Sequence, residues 1–248
     1  MLVALPALLA MLAVQVVIAF TSQTGPVVAP VAAKDLGVEA HLVGYYVAVA
    51  YACAATAGLV SGNFIARYGA IRTSQVCLSL CALGMTLAAT GNPGLVLLSA
   101  LVVGFGYGPA TPASSHILAR VTPASSLNLV FSIKQTGVPL GAGLAGAVVP
   151  SLALGMGWQA SCAAIGAASL ALALSIQPWR ERFDAGRDRE RRPLAFGQSA
   201  LVIFQIWRIA PIRRLAVTSL AFSGMQVCVS AFLVIYLHEQ CGLPVVTA

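Results

Sequence analysis

Lys134 interrupts a long apolar stretch, standing between "LNLVFSI" and the glycine-rich "QTGVPLGAGLAG". A lysine at such a place must snorkel to water or find partners. A cation that stays inside favours an anionic solute or an anionic group on one. Neutral hydrogen-bonding groups recur at helical spacing in other apolar runs. Tyr107, Thr111, Ser114 and Ser115 share one helix face, and Ser219, Ser223, Gln226 and Ser230 share another. Gln15, Ser22 and Gln23 lie in the first run, and Tyr45, Tyr46 and Tyr51 in the second. We take Gln23, Tyr45, Tyr107, Thr111, Lys134 and Gln226 as candidate solute-binding residues. Helix-to-helix packing is the competing role for such small polar groups.

Several other chemistries lack their residues. No Asp or Glu lies well inside an apolar run, so no proton-carrying carboxylate is visible. Ser115 and His116 are adjacent and point apart on a helix, which spoils a serine nucleophile with a histidine base. His116, beside Arg120, reads as interfacial. The last apolar run has no lysine for a retinal Schiff base. The six cysteines form no CxxC and no zinc-type spacing with histidine, and read as small core residues. No catalytic residue, metal or cofactor is expected.

The elements that must position the candidates are spanning helices. Only 8% of the 248 residues are charged and 59% are hydrophobic, with a mean hydropathy of +0.89. A soluble domain carries about 25% charged residues. The sequence is that of an all-α polytopic membrane protein. A span needs about 20 mostly apolar residues. The segments are Leu2–Ala33, Leu42–Ile65, Thr73–Thr90, Leu95–Ala119, Leu127–Leu154, Trp158–Ile176 and Leu215–Leu237. The first reads as a span, because no basic n-region precedes Lys34. "TPASS" reads as a helix start with Thr122 as N-cap and Pro123 at the first position. Lys134 then lies about 16 Å along the fifth span, at roughly 1.5 Å per residue.

Basic connections fall on every second loop. That puts the N-terminus, "RYGAIR", Arg120 and "PWRERFDAGRDRERRP" in the cytoplasm, with 13 basic and 4 acidic residues on that side. The protein is expected to be a multi-pass protein of the plasma (inner) membrane. Its net charge of +7 is then an orientation signal, with no nucleic-acid partner implied. "LAFGQSALVIFQIWRIA", residues 194–210, reads as a helix lying in the cytoplasmic interface, anchored by Trp207. Three parts follow: a six-span bundle over 1–176, a charged and solvated cytoplasmic linker over 177–210, and a seventh span within 211–248. "TGPVVAP" in span one and "YGPATPA" in span four hint that spans one to three and four to six are inverted repeats.

One stretch connects these elements. "GNFIARYGAIR", residues 62–72, resembles the signature of major facilitator superfamily transporters in the loop between spans two and three. Gly62, Arg67 and Gly69 match it. Arg72 stands two residues late, and Ala66 replaces the family's acidic residue. Gly62 is expected to permit close helix approach, and Gly69 a tight turn. "TGVPLGAGLAG" resembles the family's glycine-rich fifth-span motif, with Gly137, Pro139 and Gly141 as its packing and bending residues. "GW" at Gly157–Trp158 is also familiar from these proteins.

The resemblance implies a six-helix bundle of the family's kind, alternating access, a small-molecule solute, and a loop that acts as a latch. The missing carboxylate at Ala66 is expected to weaken that latch. Five of the usual twelve spans have no counterpart. The sequence is therefore read as a fragment of a secondary transporter whose other half is a partner, or as a truncated membrane protein that does not transport. Topology is directly checkable. An impermeant thiol reagent should label Cys241 on intact cells, with labelling lost in Cys241→Ser; labelling in inverted vesicles alone would reverse the orientation.

Overall fold

A computed structural model of the chain describes residues 4–188, 204–205, 207–239 and 241. The interfacial helix expected over 194–210 lies mostly outside the described residues. The rest is helical. Helix α1 spans Ala4–Leu36, α2 Val43–Tyr68, α3 Ala70–Ala89, α4 Pro93–Tyr107, α5 Ala110–Val121, α6 Leu127–Gln135, α7 Gly137–Met156 and α8 Trp158–Ser175. A short α9 covers Arg180–Phe183, and α10 covers Ala210–Glu239. Taken as α1, α2, α3, α4 with α5, α6 with α7, and α8 with α9, these make six spans long and apolar enough to cross a bilayer. Helix α10 follows as the seventh long helix.

Spans four and five are each built of two helices, and proline explains the breaks. Proline removes its own N–H and crowds the carbonyl four residues earlier. Pro112 acts on Gly108, where α4 gives way to α5, and Pro139 acts on Gln135, the last residue of α6. The start of span five differs from the expectation. Thr122 ends α5, a 3-10 turn occupies Ala124–Ser126, and the regular helix begins at Leu127. Thr122 Oγ1 has no partner and caps nothing. Lys134 is therefore only two turns into its helix.

Unpaired backbone groups at the helix ends need partners. Asn92 caps α4, its Oδ1 accepting from the N–H of Gly94 and Leu95, with Pro93 at the first position. Two reversals use a single glycine. Gly69 joins α2 to α3 with φ 93° and ψ 158°, and Gly157 joins α7 to α8 with φ 83° and ψ 154°. This backbone region is essentially closed to residues with a Cβ.

Span one packs on span five, span two on span four, and span three on both span four and span six. Span three is the most enclosed, with 61% of its apolar window buried, against 22% for span two. The core runs beside it in two clusters, one around Met11, Ile18, Leu78 and Leu118, the other around Met85, Val103, Val149 and Ile165. Without water to expel between helices, close packing supplies the attraction. Glycines make that approach possible. An added Cβ at Gly104 or Gly108 would overlap the carbonyl oxygens of Ala50 or Ala54 on span two. One at Gly141 would overlap the carbonyl of Val16 on span one, and one at Gly137 would press on Gln15.

Two sequence expectations change here. Gly62 was expected to admit a close neighbour, but it is exposed and faces open space among the described residues, as do Gly143 and Gly146. The segment 177–188, read as the start of a solvated linker, instead packs on the bundle, with Phe183 and Asp184 buried. The packing account predicts a contrast. Gly141→Ala should lower the melting temperature in detergent, by an overpacking cost of about 1–3 kcal/mol. Gly146→Ala should hold or raise it, because alanine is the better helix former. Equal melting of the two variants would contradict the assignment.

Candidate functional site

Lys134 does not snorkel. Its side chain is 1% exposed, the largest fully buried side chain described. Two turns of α6 carry it against the broken fourth span. There Nζ donates to the Thr111 carbonyl at 3.4 Å and to Ser115 Oγ at 3.2 Å. Both partners are neutral oxygens. Span one completes the cluster: Gln15 Nε2 donates to Thr111 Oγ1 at 3.0 Å, and Ser114 Oγ donates to Gln15 Oε1 at 3.4 Å. Gln15 and Ser114 are buried, while Thr111 is exposed. The arrangement is a cation beneath a thin polar surface, at the meeting of spans one, four and five.

One turn from Thr111, Tyr107 meets Tyr51 edge to face, with ring centroids 5.8 Å apart. Both line a small gap with Ser22 and Gln23. Gln23, Tyr107 and Thr111 thus occupy adjoining parts of one face, with Lys134 beneath Thr111. Tyr45 does not join them. It is exposed and borders an apolar cavity of about 310 Å³ at the Lys34 end, walled by Met85, Pro93 and Trp158. Gln226 sits exposed on α10, as do Ser219 and Ser223; that helix touches the bundle at α1 and through Phe232, which fills the space beside Gly44.

The "GNFIARYGAIR" stretch forms the end of α2, the Gly69 turn and the start of α3. Gly69 is the N-cap of α3 and has no side chain to cap with. A residue 115 positions later supplies the cap. Asp184 Oδ1 accepts the Ile71 N–H at 3.0 Å, and Oδ2 accepts the Arg72 N–H at 3.0 Å. A carboxylate there also meets the positive end of the helix dipole. The Asp188 N–H donates to the Ala66 carbonyl at 2.9 Å, closing the end of α2. Arg67 is half-buried near the Tyr68 ring, 5.4 Å from its centroid, and the Arg72 side chain is exposed. His116 and Arg120 line a neighbouring cavity of about 270 Å³ with Asp184 and Arg187, and His116 Nδ1 is buried there with no hydrogen-bond partner.

The profile of the Major Facilitator Superfamily matches residues 9–248. The chain belongs to that superfamily. It is similar to an "Uncharacterized MFS-type transporter" of Pseudomonas aeruginosa (strain LESB58), at 30% identity over 128 residues, covering 49% of this chain and 32% of that protein. It is also similar to a "Gallate transporter" of Pseudomonas putida, at 27% identity over 146 residues, 58% of this chain and 32% of that one. The chain thus matches about a third of the length of these relatives.

As a multi-pass member of the major facilitator superfamily, this chain departs from the family's loop pattern at Ala66, yet its turn is not without a carboxylate. Asp184 brings one from beyond span six. Sequence reading missed Asp184 because it sits in a run of mixed charges with no local mark. The one available signal was negative: a helix start at Gly69 with no capping side chain. Asp35 was missed in the same way. Its Oδ2 accepts from Trp158 Nε1 and Gln159 Nε2, both at 3.0 Å, beside the Gly157 turn, and this is the structural context of "GW".

Burying an ammonium against neutral oxygens costs stability. Lys134→Met should therefore melt at or above the wild-type temperature. Lys134→Ala should melt lower, by a cavity cost of about 2–5 kcal/mol. A Lys134→Met variant as unstable as Lys134→Ala would mean that the charge itself holds the bundle together.

Proposed function

We propose that the chain is the first half, with the seventh span, of a secondary transporter that carries a small organic anion across the plasma membrane by alternating access. The observation that carries this reading is Lys134, fully buried and bonded only to neutral groups. Nature tolerates an intramembrane cation mainly where function uses it. An anionic group on the solute would offset the charge from the Thr111 side. The Tyr51–Tyr107 pair, one turn away, offers aromatic edges and faces to the solute's body. Gallate is an aromatic carboxylate, so the named relative supports the same class of solute.

In this reading residues 1–176 form a bundle of two inverted three-span repeats. Residues 177–210 are the cytoplasmic connection, and 211–248 begin the second bundle. The arginine-rich connections support a cytoplasmic N-terminus and a cytoplasmic Gly69 turn. Gln23, Tyr107 and Thr111 face the solute path, with Lys134 buried beneath Thr111. Tyr45 and Gln226 are the candidates furthest from that cluster and are assigned no direct contact.

Uptake tests the proposal. Proteoliposomes holding the full-length protein should accumulate radiolabelled hydroxybenzoates saturably, and neutral hydroxybenzamides should not compete. Lys134→Met should weaken apparent carboxylate affinity about tenfold or more, the worth of a charged hydrogen bond, while keeping the fold. Uptake that discriminates poorly between acid and amide, or that survives Lys134→Met unchanged, would sink the anion reading.

A further inference from the structure

We infer that residues 183–188 are a clasp that ties the connection after span six to the turn between spans two and three, with Asp184 as the positioning residue that takes over the task of the carboxylate absent at Ala66. The inference rests on the transporter reading for its consequence, though not for its geometry.

The clasp has four holds. Phe183 is buried in the larger core cluster beside Trp179, which anchors the segment and delivers the next residue to the turn. Asp184, 1% exposed, then accepts from the first N–H groups of α3, and Asp188 donates to the end of α2. Between them Gly186 lies against the Arg120 guanidinium at the end of span four, so closely that a Cβ would overlap it. Six residues therefore touch the ends of three spans. The turn is shaped to receive them. A Cβ on Gly69 would fall inside the Asp184 carboxyl, and the positive φ excludes other residues independently. Glycine at 69 thus serves two demands, its own backbone and the room for Asp184.

The consequence is mechanical. Helix α10 already touches the bundle directly at α1 and α2. The clasp adds a second attachment: with it closed, the chain beyond span six is held to the Gly69 turn and the ends of spans two and three as far as Asp188. A cap that served α3 alone would leave Asp188 and Ala66 indifferent to Asp184.

Hydrogen–deuterium exchange of the 248-residue chain in lipid nanodiscs separates the two. In the wild type, peptides over 70–75 and 185–188 should both be protected. Asp184→Ala should speed exchange about tenfold or more in both, since a charged hydrogen bond and the contacts that depend on it are lost together. Should Asp184→Ala not fold, Asp184→Asn and Gly69→Ala provide the same readout, the second by displacing the carboxyl. Faster exchange confined to 70–75, with 185–188 still protected, would overturn the clasp. In the full-length protein, Asp184→Asn should change the maximal uptake rate and leave the apparent affinity for the anion in place. A change in affinity alone would also overturn it. Coupled exchange in a protein that carries no organic anion would leave the clasp standing and remove the transport reading.

Discussion

The first N–H groups and the last C=O groups of every helix lack partners within it, and a reversal of one residue leaves no side chain at the junction to meet them. The two single-glycine turns show how this sequence meets that demand. Each lets one helix stop and the next begin within one residue, which leaves no capping side chain at the junction. Each has a carboxylate brought to it from far along the chain: Asp184 to the Gly69 turn, Asp35 to the Gly157 turn. The chemistry differs in detail. Asp184 takes backbone N–H groups directly, while Asp35 holds the side chains of Trp158 and Gln159. In both cases a distant segment is packed against the short turn.

The second constraint is charge. With so few ionisable groups, each is placed where its partners are cheapest. Among the described residues most arginines stand at or near helix ends, and buried Asp184 is met by two backbone donors. Lys134 breaks this economy. Its oxygens come from Thr111 and Ser115, at the part of span four where α4 gives way to α5. Pro109 and Pro112 free the carbonyls of Phe105 and Gly108 at the break, about one turn before the Thr111 carbonyl that Lys134 meets. The break in span four and the lysine in span five lie side by side. Neither alone explains why the polar residues of span one, Gln15 above all, converge there.

Much of the fold was legible because it follows from hydropathy and spacing. Six spans could be read as apolar runs bounded by glycine, proline and arginine, and their ends moved by only a few residues. The lysine's isolation from acids was equally plain. What the sequence hid was direction and distance. Gly62 and Gly141 look alike in a row of letters, yet one faces open space and the other meets the backbone of span one. Which glycine is a contact depends on helix rotation, and the broken fourth and fifth spans shift that rotation at Gly108 and Thr136. Tyr45 and Tyr46 are neighbours in sequence, but Tyr46 turns inward to accept from Ser99 Oγ while Tyr45 stays exposed. Asp184 was hidden by distance alone, since no local pattern joins residue 184 to residue 71.

The repeat also becomes physical rather than textual. If spans one to three match spans four to six, the pairing of span one with span five must be mirrored by span four with span two, and span three must meet span six. All three contacts are present. The Gly69 and Gly157 turns occupy matching places between the second and third spans of each repeat and share their backbone angles within 10°. The short likeness of "TGPVVAP" to "YGPATPA" was weak because the first lies in an unbroken helix and the second at a helix break. Constraints on the backbone outlast resemblance of side chains. A turn made of one residue admits only glycine, whereas an apolar helix face admits almost any small residue, so the repeat survives where the chain has fewest alternatives.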